Sequence, residues 1–187
     1  MISTIVTIAL IVLSVVLDQV SKLLVVANME LGQSVDVIPG IFRFTYIHNE
    51  GAAFGSMADA RWIFMILSSV AIVAILVYLF WKKPQIKLLR AALILVASGG
   101  IGNMIDRIFL GYVIDFLDFC AFPNFWMWIF NVADACVCIG AGLLALWMIL
   151  DIIKDEKAKK EAVNALTDEG NTDVTDADEN ENGDENA

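Results

Sequence analysis

The stretch WIFMILSSVAIVAILVYLFW, residues 62–81, holds 20 residues without one charged side chain. A helix needs about 20 apolar residues to cross the hydrocarbon core of a bilayer. Hydrophobic side chains make up 59% of the 187 residues, against about 45–50% in soluble domains, and the mean hydropathy is +0.73. We therefore predict an all-α polytopic membrane protein, and this composition excludes a water-soluble globule.

Three further apolar runs accompany this stretch. Together they predict transmembrane helices at about residues 2–27, 62–81, 88–108 and 129–152, packed as a four-helix bundle. Residues 1–155 then form one membrane domain, with outer loops at 28–61 and 109–128. We expect Arg90 to snorkel to water at one end of the third span. Residues 156–187 are predicted to form a tail that is disordered from residue 167, because nine acids and no base follow that point.

Lysine and arginine define the orientation, because they accumulate on the cytoplasmic side of a membrane protein. Eight of the 12 bases lie beside the connection between the second and third spans or after the fourth span. Both termini are therefore predicted to be cytoplasmic. The nine tail acids account for most of the net charge of −10, and the remainder carries −1. This near-neutral body has no basic patch, so no nucleic-acid partner is expected.

The two outer loops carry different signals. In the first, an aromatic residue or histidine stands at every second position from 42 to 48, which predicts a strand, and Pro39-Gly40 predicts a turn before it. We expect a small extracytoplasmic β-sheet there, with His48 exposed. The second loop is expected to rest in the headgroup layer as an interfacial helix or loop. It is dense in aromatic residues, among them Phe116, Phe119, Phe122, Phe125, Trp126 and Trp128.

Ionisable and amide side chains stand at membrane depth, where each needs a structural or functional reason. Asp18 lies about 24 Å along the first span at about 1.5 Å per residue, which is near the outer boundary. The predicted topology brings polar residues from the third span, the second outer loop and the fourth span to the same level. The converging residues are Asp18, Lys22, Asn103, Asp106, Arg107, Asp115, Asn131 and Asp134, with Asn49 in the first outer loop.

Several of these residues have a purely structural alternative. Gly99, Gly100 and Gly102 before Asn103 permit close helix approach, and packing alone is an equal explanation for them. Structural ion pairs, Asp18 with Lys22 or Asp106 with Arg107, are the alternative for the charged residues. We prefer the structural interpretation for Asp106.

Carboxylates carry the chemistry that this set of residues supports. With one histidine, a multi-histidine metal site is excluded, and neither a G-x-S-x-G motif nor a phosphate-binding glycine loop is present. Asp115 and Asp134 lie near the membrane without an adjacent base. Two close aspartates cannot both ionise, so one keeps its proton. The ionised aspartate can take a proton from water, and the protonated one can polarise a carbonyl. This is aspartic protease chemistry without a metal or cofactor, although paired membrane aspartates also serve proton relays.

Five segments resemble the bacterial lipoprotein signal peptidases, or signal peptidases II, in order and spacing over about residues 1–155. They are Asp18-Gln19-Val20-Ser21-Lys22, Asn49-Glu50-Gly51-Ala52-Ala53-Phe54-Gly55, Gly99-Gly100-Ile101-Gly102-Asn103-Met104-Ile105-Asp106-Arg107, Val113-Ile114-Asp115-Phe116 and Phe130-Asn131-Val132-Ala133-Asp134. The resemblance implies an aspartic endopeptidase of the bacterial inner membrane that acts near the extracytoplasmic face. Such enzymes remove the signal peptide from diacylglyceryl-modified prolipoproteins, and cut just before the lipidated cysteine of the lipobox.

The resemblance also implies residue roles and partners. The catalytic dyad falls on Asp115 and Asp134. A second group is expected to bind substrate or inhibitor or to orient the dyad: Asn49, Gly99, Asn103, Arg107 and Asn131. A third group is expected to support the structure: Asp18, Lys22 and Asp106. The expected partners are prolipoproteins, membrane lipids and globomycin-type cyclic peptide inhibitors, and the protein is expected to be a monomer.

Other functions fit the sequence less well. A proton-relay or carrier protein predicts acids at mid-membrane depth, whereas these acids cluster at one face. A membrane scaffold held by structural ion pairs does not explain why Asp115 and Asp134 have no adjacent basic residue. A serine-type protease would rest on His48 alone, and a presenilin-type G-x-G-D motif fails because Asn103 follows Gly102.

Overall fold

The computed structural model describes residues 4–50, 60–121 and 128–181 of the chain. Its long helices are α1 (Thr4–Asn28), α2 (Ala60–Val77), α3 (Lys87–Phe109) and α4 (Val132–Glu181). All four regions are long and apolar enough to cross a membrane. The predicted helical, polytopic membrane fold is therefore confirmed. By its internal contacts the chain forms two compact units, Met1–Leu144 and Ala145–Ala187.

The connection between α2 and α3 has a local cause. α2 runs into a π-helical turn, Tyr78–Lys82, and Lys83 then adopts a left-handed conformation with φ of 49°. Pro84 follows, and a proline disfavours the helical conformation in the residue before it. The helix therefore ends where the cluster of lysines predicts a connection out of the membrane.

A four-stranded antiparallel sheet joins the two predicted outer loops, in the order β1-β2-β3-β4. The strands are β1 (Ser34–Ile38), β2 (Phe42–Asn49), β3 (Val113–Phe119) and β4 (Ile129–Phe130). β2 coincides with the alternating segment, and a turn precedes it at Pro39-Gly40, as predicted. β2 pairs with β3, so that Ile47 lies opposite Asp115. This pairing brings residues from separate loops to one place.

The second outer loop differs from its prediction. Much of it is β3, and Phe116 is buried in an apolar cluster with Val25, Tyr46 and Ile114. β3 is buried on both faces over most of its length, so its sequence lacks the alternation that marks a half-exposed strand.

The end of this loop also differs. Ile129 and Phe130 pair with Asp118 and Leu117 of β3, and α4 begins at Val132 instead of residue 129. The described parts of both loops form strands and turns, and the predicted interfacial helix is not among them. The predictions for Phe122, Phe125, Trp126 and the segment 51–55 lie outside the described residues.

α3 approaches its neighbours at glycines. A Cβ atom at Gly99 would overlap the carbonyl oxygen of Ala133 and the side chain of Val137 on α4. A Cβ atom at Gly102 would lie 2.6 Å from Oδ2 of Asp18 on α1. These contacts are possible only without a side chain, so α3 packs closely against both helices, as small residues allow in membranes.

α1 and α3 are also joined through Arg90, for which snorkelling was expected. Arg90 is only 4% exposed, and its Nε and Nη2 donate to the hydroxyl of Thr7 at 3.1 and 2.7 Å. The expectation was wrong because the hydroxyl on α1 satisfies these donors inside the bundle. The contact with Thr7 therefore keeps the guanidinium between α1 and α3.

The described part of the second unit is the remainder of α4. The helix is assigned to Glu181, and the disorder expected from residue 167 stays a prediction. Residues 154–166 are mostly lysine, glutamate, alanine and leucine, which favour helix, and Lys157 pairs with Glu161 at 3.8 Å. Extending an existing helix costs less than starting one, which explains how α4 continues beyond its apolar part.

Candidate active site

Asp115 stands in β3 with its side chain completely buried. Its Oδ2 accepts a hydrogen bond from Nδ2 of Asn49 at 2.8 Å, and its Oδ1 accepts one from Nδ2 of Asn131 at 2.6 Å. Burial raises the pKa of the Asp115 carboxyl to about 6, because desolvation penalises the charged form. The Asn49 hydrogen bond opposes this rise in pKa, and the negative charge of Asp134 adds to it.

Asp134 is held by a reciprocal cap at the start of α4. Oδ1 of Asn131 accepts a hydrogen bond from the backbone N–H of Asp134 at 2.9 Å, and Oδ2 of Asp134 accepts one from the backbone N–H of Asn131 at 3.2 Å. This is the geometry of a capping box, in which the N-cap and the third helical residue satisfy each other's amide groups. Asp134 is thereby fixed in the first turn, at the positive end of the helix dipole.

Asn131 therefore touches both aspartates. Its side-chain oxygen serves the cap of α4. Its Nδ2 donates to Asp115 and to Oδ1 of Asn103 at 3.0 Å, and it lies 3.2 Å from the carbonyl oxygen of Ile114. The residue is completely buried. A single rigid side chain thus links the strand that carries one carboxylate to the helix that carries the other.

The orientation of the Asn103 amide follows from its neighbours. Its Oδ1 faces Nζ of Lys22 at 3.1 Å and Nδ2 of Asn131 at 3.0 Å. An ammonium group can only donate, so the oxygen of Asn103 must face Lys22. Its Nδ2 then points to Oδ1 of Asp134, at 2.7 Å. Lys22 thereby sets the direction of a hydrogen-bond chain that ends on Asp134.

A buried ionic cluster lies directly behind this chain. Nζ of Lys22 is 2.8 Å from Oδ2 of Asp18 and 2.9 Å from Oδ2 of Asp106, and all three side chains are buried. The ion pair predicted between Asp18 and Lys22 is therefore present, and Asp106 pairs with Lys22 and not with Arg107. Burying charges is costly, and additional hydrogen bonds must satisfy them.

Two of those bonds reach the backbone beside Asp115 and Asp134. Oδ1 of Asp18 accepts from the N–H of Ala133 at 2.8 Å, and Oδ2 of Asp106 accepts from the N–H of Ile114 at 3.1 Å. Ala133 precedes Asp134, and Ile114 precedes Asp115. The ionic cluster thus holds the chain immediately before each aspartate, which supports the structural role expected of Asp18 and Asp106.

Gln19 belongs to this cluster, although it was not among the predicted site residues. Its Nε2 donates to Oδ1 of Asp106 at 2.9 Å and lies 3.2 Å from both Oδ2 of Asp18 and the carbonyl oxygen of Gly102. The available signal was an amide side chain at membrane depth, three residues before Lys22 and hence on the same helix face.

Arg107 and Gly99 stand differently from the other predicted residues. Nη1 of the half-buried Arg107 lies 3.3 Å from the carbonyl oxygen of Asn103, and it forms no ion pair among the residues that the structure describes. Gly99 is explained by its contact with α4. Their roles in binding remain predictions.

The other candidate groups lie apart from this chemistry. His48 lies in strand β2, as expected, but it is half-buried and not exposed. Its ring stacks on Tyr112 with ring centroids 3.7 Å apart, and its Nε2 forms a hydrogen bond with the hydroxyl of Tyr46 at 2.9 Å. The cysteines are free thiols. Among the described residues no group of three or more histidine, cysteine, aspartate or glutamate side chains is placed to hold a metal ion.

Comparison with known proteins gives consistent family matches. A family model described as signal peptidase (SPase) II matches residues 10–150. The lipoprotein signal peptidase of Symbiobacterium thermophilum is 47% identical over 148 residues, covering 77% of this chain and 94% of the relative. The lipoprotein signal peptidase of Geobacter sulfurreducens is 45% identical over 149 residues, covering 78% of this chain and 90% of its own.

Solved structures show the same fold. A bacterial membrane enzyme solved by the in meso method at 2.3 Å resolution superposes with a TM-score of 0.70 at 31% sequence identity, covering 78% of this chain and 88% of that chain. A second such structure, at 1.9 Å resolution, gives the same TM-score and identity and covers 76% and 91%.

The membrane fold and these similarities together define a membrane-embedded aspartic peptidase, which is a hydrolase. The family model covers most of the chain, and relatives of 40% identity or more match it over nearly their whole length. The chain belongs to the signal peptidase II family.

Proposed function

We propose that this protein removes the signal peptide from diacylglyceryl-modified prolipoproteins, by hydrolysing the peptide bond just before the lipidated cysteine. The substrate class is supported by the relatives, which are named lipoprotein signal peptidases. The observation that carries the mechanism is the position of Asn131, which binds Asp115 directly and caps the helix turn that holds Asp134. Water activated between these two aspartates is the proposed nucleophile.

In the proposed mechanism the pair holds one proton, which we assign to Asp115 because burial disfavours its charged form and raises its pKa to about 6. Asp134 takes a proton from the bound water, and the water oxygen forms a bond to the carbonyl carbon. Asp115 gives its proton to the carbonyl oxygen at the same time. The product of this step is a neutral tetrahedral diol.

The diol then collapses. Asp134 passes its proton to the amide nitrogen, the bond between carbon and nitrogen breaks, and one hydroxyl of the diol returns a proton to Asp115. The signal peptide leaves with a new carboxyl group, and the cysteine leaves with a free amine. Both aspartates regain their starting protonation, so the cycle needs no metal or cofactor.

The surrounding amides and the arginine serve this reaction in the proposal. Asn49 and Asn131 hold Asp115, and Asn103 holds Asp134, through the hydrogen bonds described above. Arg107 is half-buried and its guanidinium forms no ion pair with a described residue, so it is proposed to bind a substrate carbonyl. A globomycin-type cyclic peptide is proposed to compete for the same groups.

The membrane explains why the site must lie at one end of the bundle. A lipid-modified cysteine leaves the bilayer at a cost of about 0.8 kcal/mol for each buried CH₂ group, so the enzyme must cut it at the interface. We propose that the site faces the extracytoplasmic side of the bacterial inner membrane and that both termini are cytoplasmic. This orientation rests on the distribution of lysine and arginine.

The test is a cleavage assay with purified protein in detergent and mass spectrometry of the products. We expect a diacylglyceryl-modified prolipoprotein to be cut once, before the lipidated cysteine, and the same chain without the lipid to be left uncut. Globomycin is expected to block the cut. Cleavage at another bond, or equal cleavage of the unmodified chain, would overturn the proposed substrate.

A further inference from the structure

An apolar groove of about 430 Å³ lies between the C-terminal half of α1 and the sheet. Its apolar lining residues are Leu24, Val25, Met29, Val35, Phe44 and Phe116. The polar lining residues are already satisfied, because the hydroxyl of Ser21 donates to the carbonyl of Asp18 and the amide of Asn28 donates to the carbonyl of Leu24, each at 2.7 Å. The groove therefore suits a hydrocarbon and offers little to a polar ligand. Its volume is within the usual range of about 300–1,000 Å³ for ligand sites.

The groove continues a lipid-facing stripe on α1. Leu10, Leu13, Leu17 and Leu24 are all exposed, and their spacings of three, four and seven residues place them on one helix face. α1 is long and apolar enough to span the membrane, so this face lies against lipid chains. Leu24 ends the stripe and lines the groove, so that a chain lying along α1 enters the groove without leaving apolar surface.

The opposite wall of the groove is an edge strand. Val35 lies in β1, which is exposed along its whole length and pairs only with β2 among the described strands. Val37 and Ile38 are exposed beside it, each at 49%. Contiguous exposed apolar surface of this kind marks a membrane or ligand contact. The groove and β1 therefore form one apolar surface next to the bilayer.

We propose that this groove binds one alkyl chain of a bilayer phospholipid, which lies along α1 and fills the space beneath the sheet. Neighbouring residues of a strand point to opposite faces, so Phe116 points into the groove while Asp115 faces the other way. The lipid chains of the substrate are attached beside the bond that is cut, so they remain on the Asp115 side. A chain in the groove packs on Phe116 and supports β3 from behind the dyad.

The test uses a phospholipid with a diazirine in its acyl chain, mixed into liposomes that contain the full-length protein. After irradiation, mass spectrometry is expected to find label on Met29 or Phe44, enriched at least fivefold over exposed residues elsewhere on the helices. Val35→Trp fills the mouth of the groove and is expected to lower this label at least fivefold. Val70→Trp is the matched control, since Val70 is an exposed valine of α2 that does not line the groove.

Two kinds of result would overturn the proposal. The first is a labelling pattern that does not depend on the groove, either label spread evenly along α1 or label that Val35→Trp does not reduce. The second is displacement of the label by a diacylglyceryl-modified prolipoprotein, which would assign the groove to the substrate. The readout is independent of peptidase activity, so its failure is distinct from a failure of the proposed function.

Discussion

Nδ2 of Asn131 donates a hydrogen bond of 2.6 Å to Oδ1 of Asp115, which is shorter than the 2.8 Å bond that Asp115 accepts from Asn49. The same side chain accepts the backbone N–H of Asp134 through its oxygen. Asn131 thus combines a helix cap, which stabilises the fold, with a contact to a buried carboxylate, which positions the dyad. Substitution can separate these two contributions.

Asn131→Ser and Asn131→Ala are expected to have different Tm values but similar kcat values. Both shorten the side chain and lose the bond to Asp115, so both are expected to lower kcat at least tenfold, since small displacements of catalytic groups are costly. Only alanine also loses the cap, which contributes about 1 kcal/mol. Thermal unfolding in detergent should therefore give a lower Tm for Asn131→Ala than for Asn131→Ser. Equal Tm values would contradict the capping role.

Lys22 is expected to be essential for folding stability. Lys22→Met leaves Asp18 and Asp106 buried without a counter-charge, and breaking a buried pair in this way costs about 3–5 kcal/mol. The double variant Lys22→Met with Asp106→Asn has one fewer unpaired buried charge, so its Tm should lie above that of Lys22→Met. Lys157→Met is the control, because its pair with Glu161 is exposed, and its Tm should not change. A stable, active Lys22→Met variant would contradict this account of the cluster.

The pH dependence of kcat/KM is expected to reflect Asp115. In the proposed mechanism this carboxyl must be protonated, and a group is protonated below its pKa, so kcat/KM should fall as the pH rises through about 6. Asn49→Ala removes a hydrogen bond that lowers the pKa of Asp115, so the falling limb should move to higher pH. Asn164→Ala, at an exposed position of α4, should leave the profile unchanged. A limb that stays in place or moves to lower pH in Asn49→Ala contradicts the assignment.

Gly99→Ala is expected to lower activity by displacing the chain next to Asp134. The added methyl group meets the carbonyl oxygen of Ala133, the residue before Asp134, and Val137, so α3 and α4 must separate. We expect a lower Tm together with at least a tenfold lower kcat. Gly142→Ala is the matched control, because nothing lies within 4 Å of its added Cβ and alanine favours helix by up to about 1 kcal/mol. An unchanged kcat in Gly99→Ala would contradict the proposed coupling.

The sequence predicted those features that depend on local patterns. Apolar length predicted the four helices, and period-two alternation predicted β2. The convergence of Asp18, Asn103, Asp115 and Asn131 could be inferred because helix rise and topology determine the level at which each side chain stands. These inferences require only that each segment follows its regular geometry.

The remaining features depend on tertiary contacts. β3 was missed because burial on both faces removes the alternation of an exposed strand. The pairing of Asp106 with Lys22 instead of its neighbour Arg107 depends on how α1 packs against α3. The burial of Arg90 depends on Thr7, a hydroxyl on another helix whose position no local pattern reveals.

The central claim is that Asp115 and Asp134 together carry the hydrolysis. The most direct measurement is the rate of cleavage of a diacylglyceryl-modified prolipoprotein by the wild type, Asp115→Asn and Asp134→Asn, with Asp36→Asn on the exposed strand β1 as the control. With Tm values near that of the wild type, each dyad variant is expected to lose between about 10²- and 10⁴-fold in kcat, while the control keeps the wild-type rate. Wild-type cleavage by either folded dyad variant would contradict the claim.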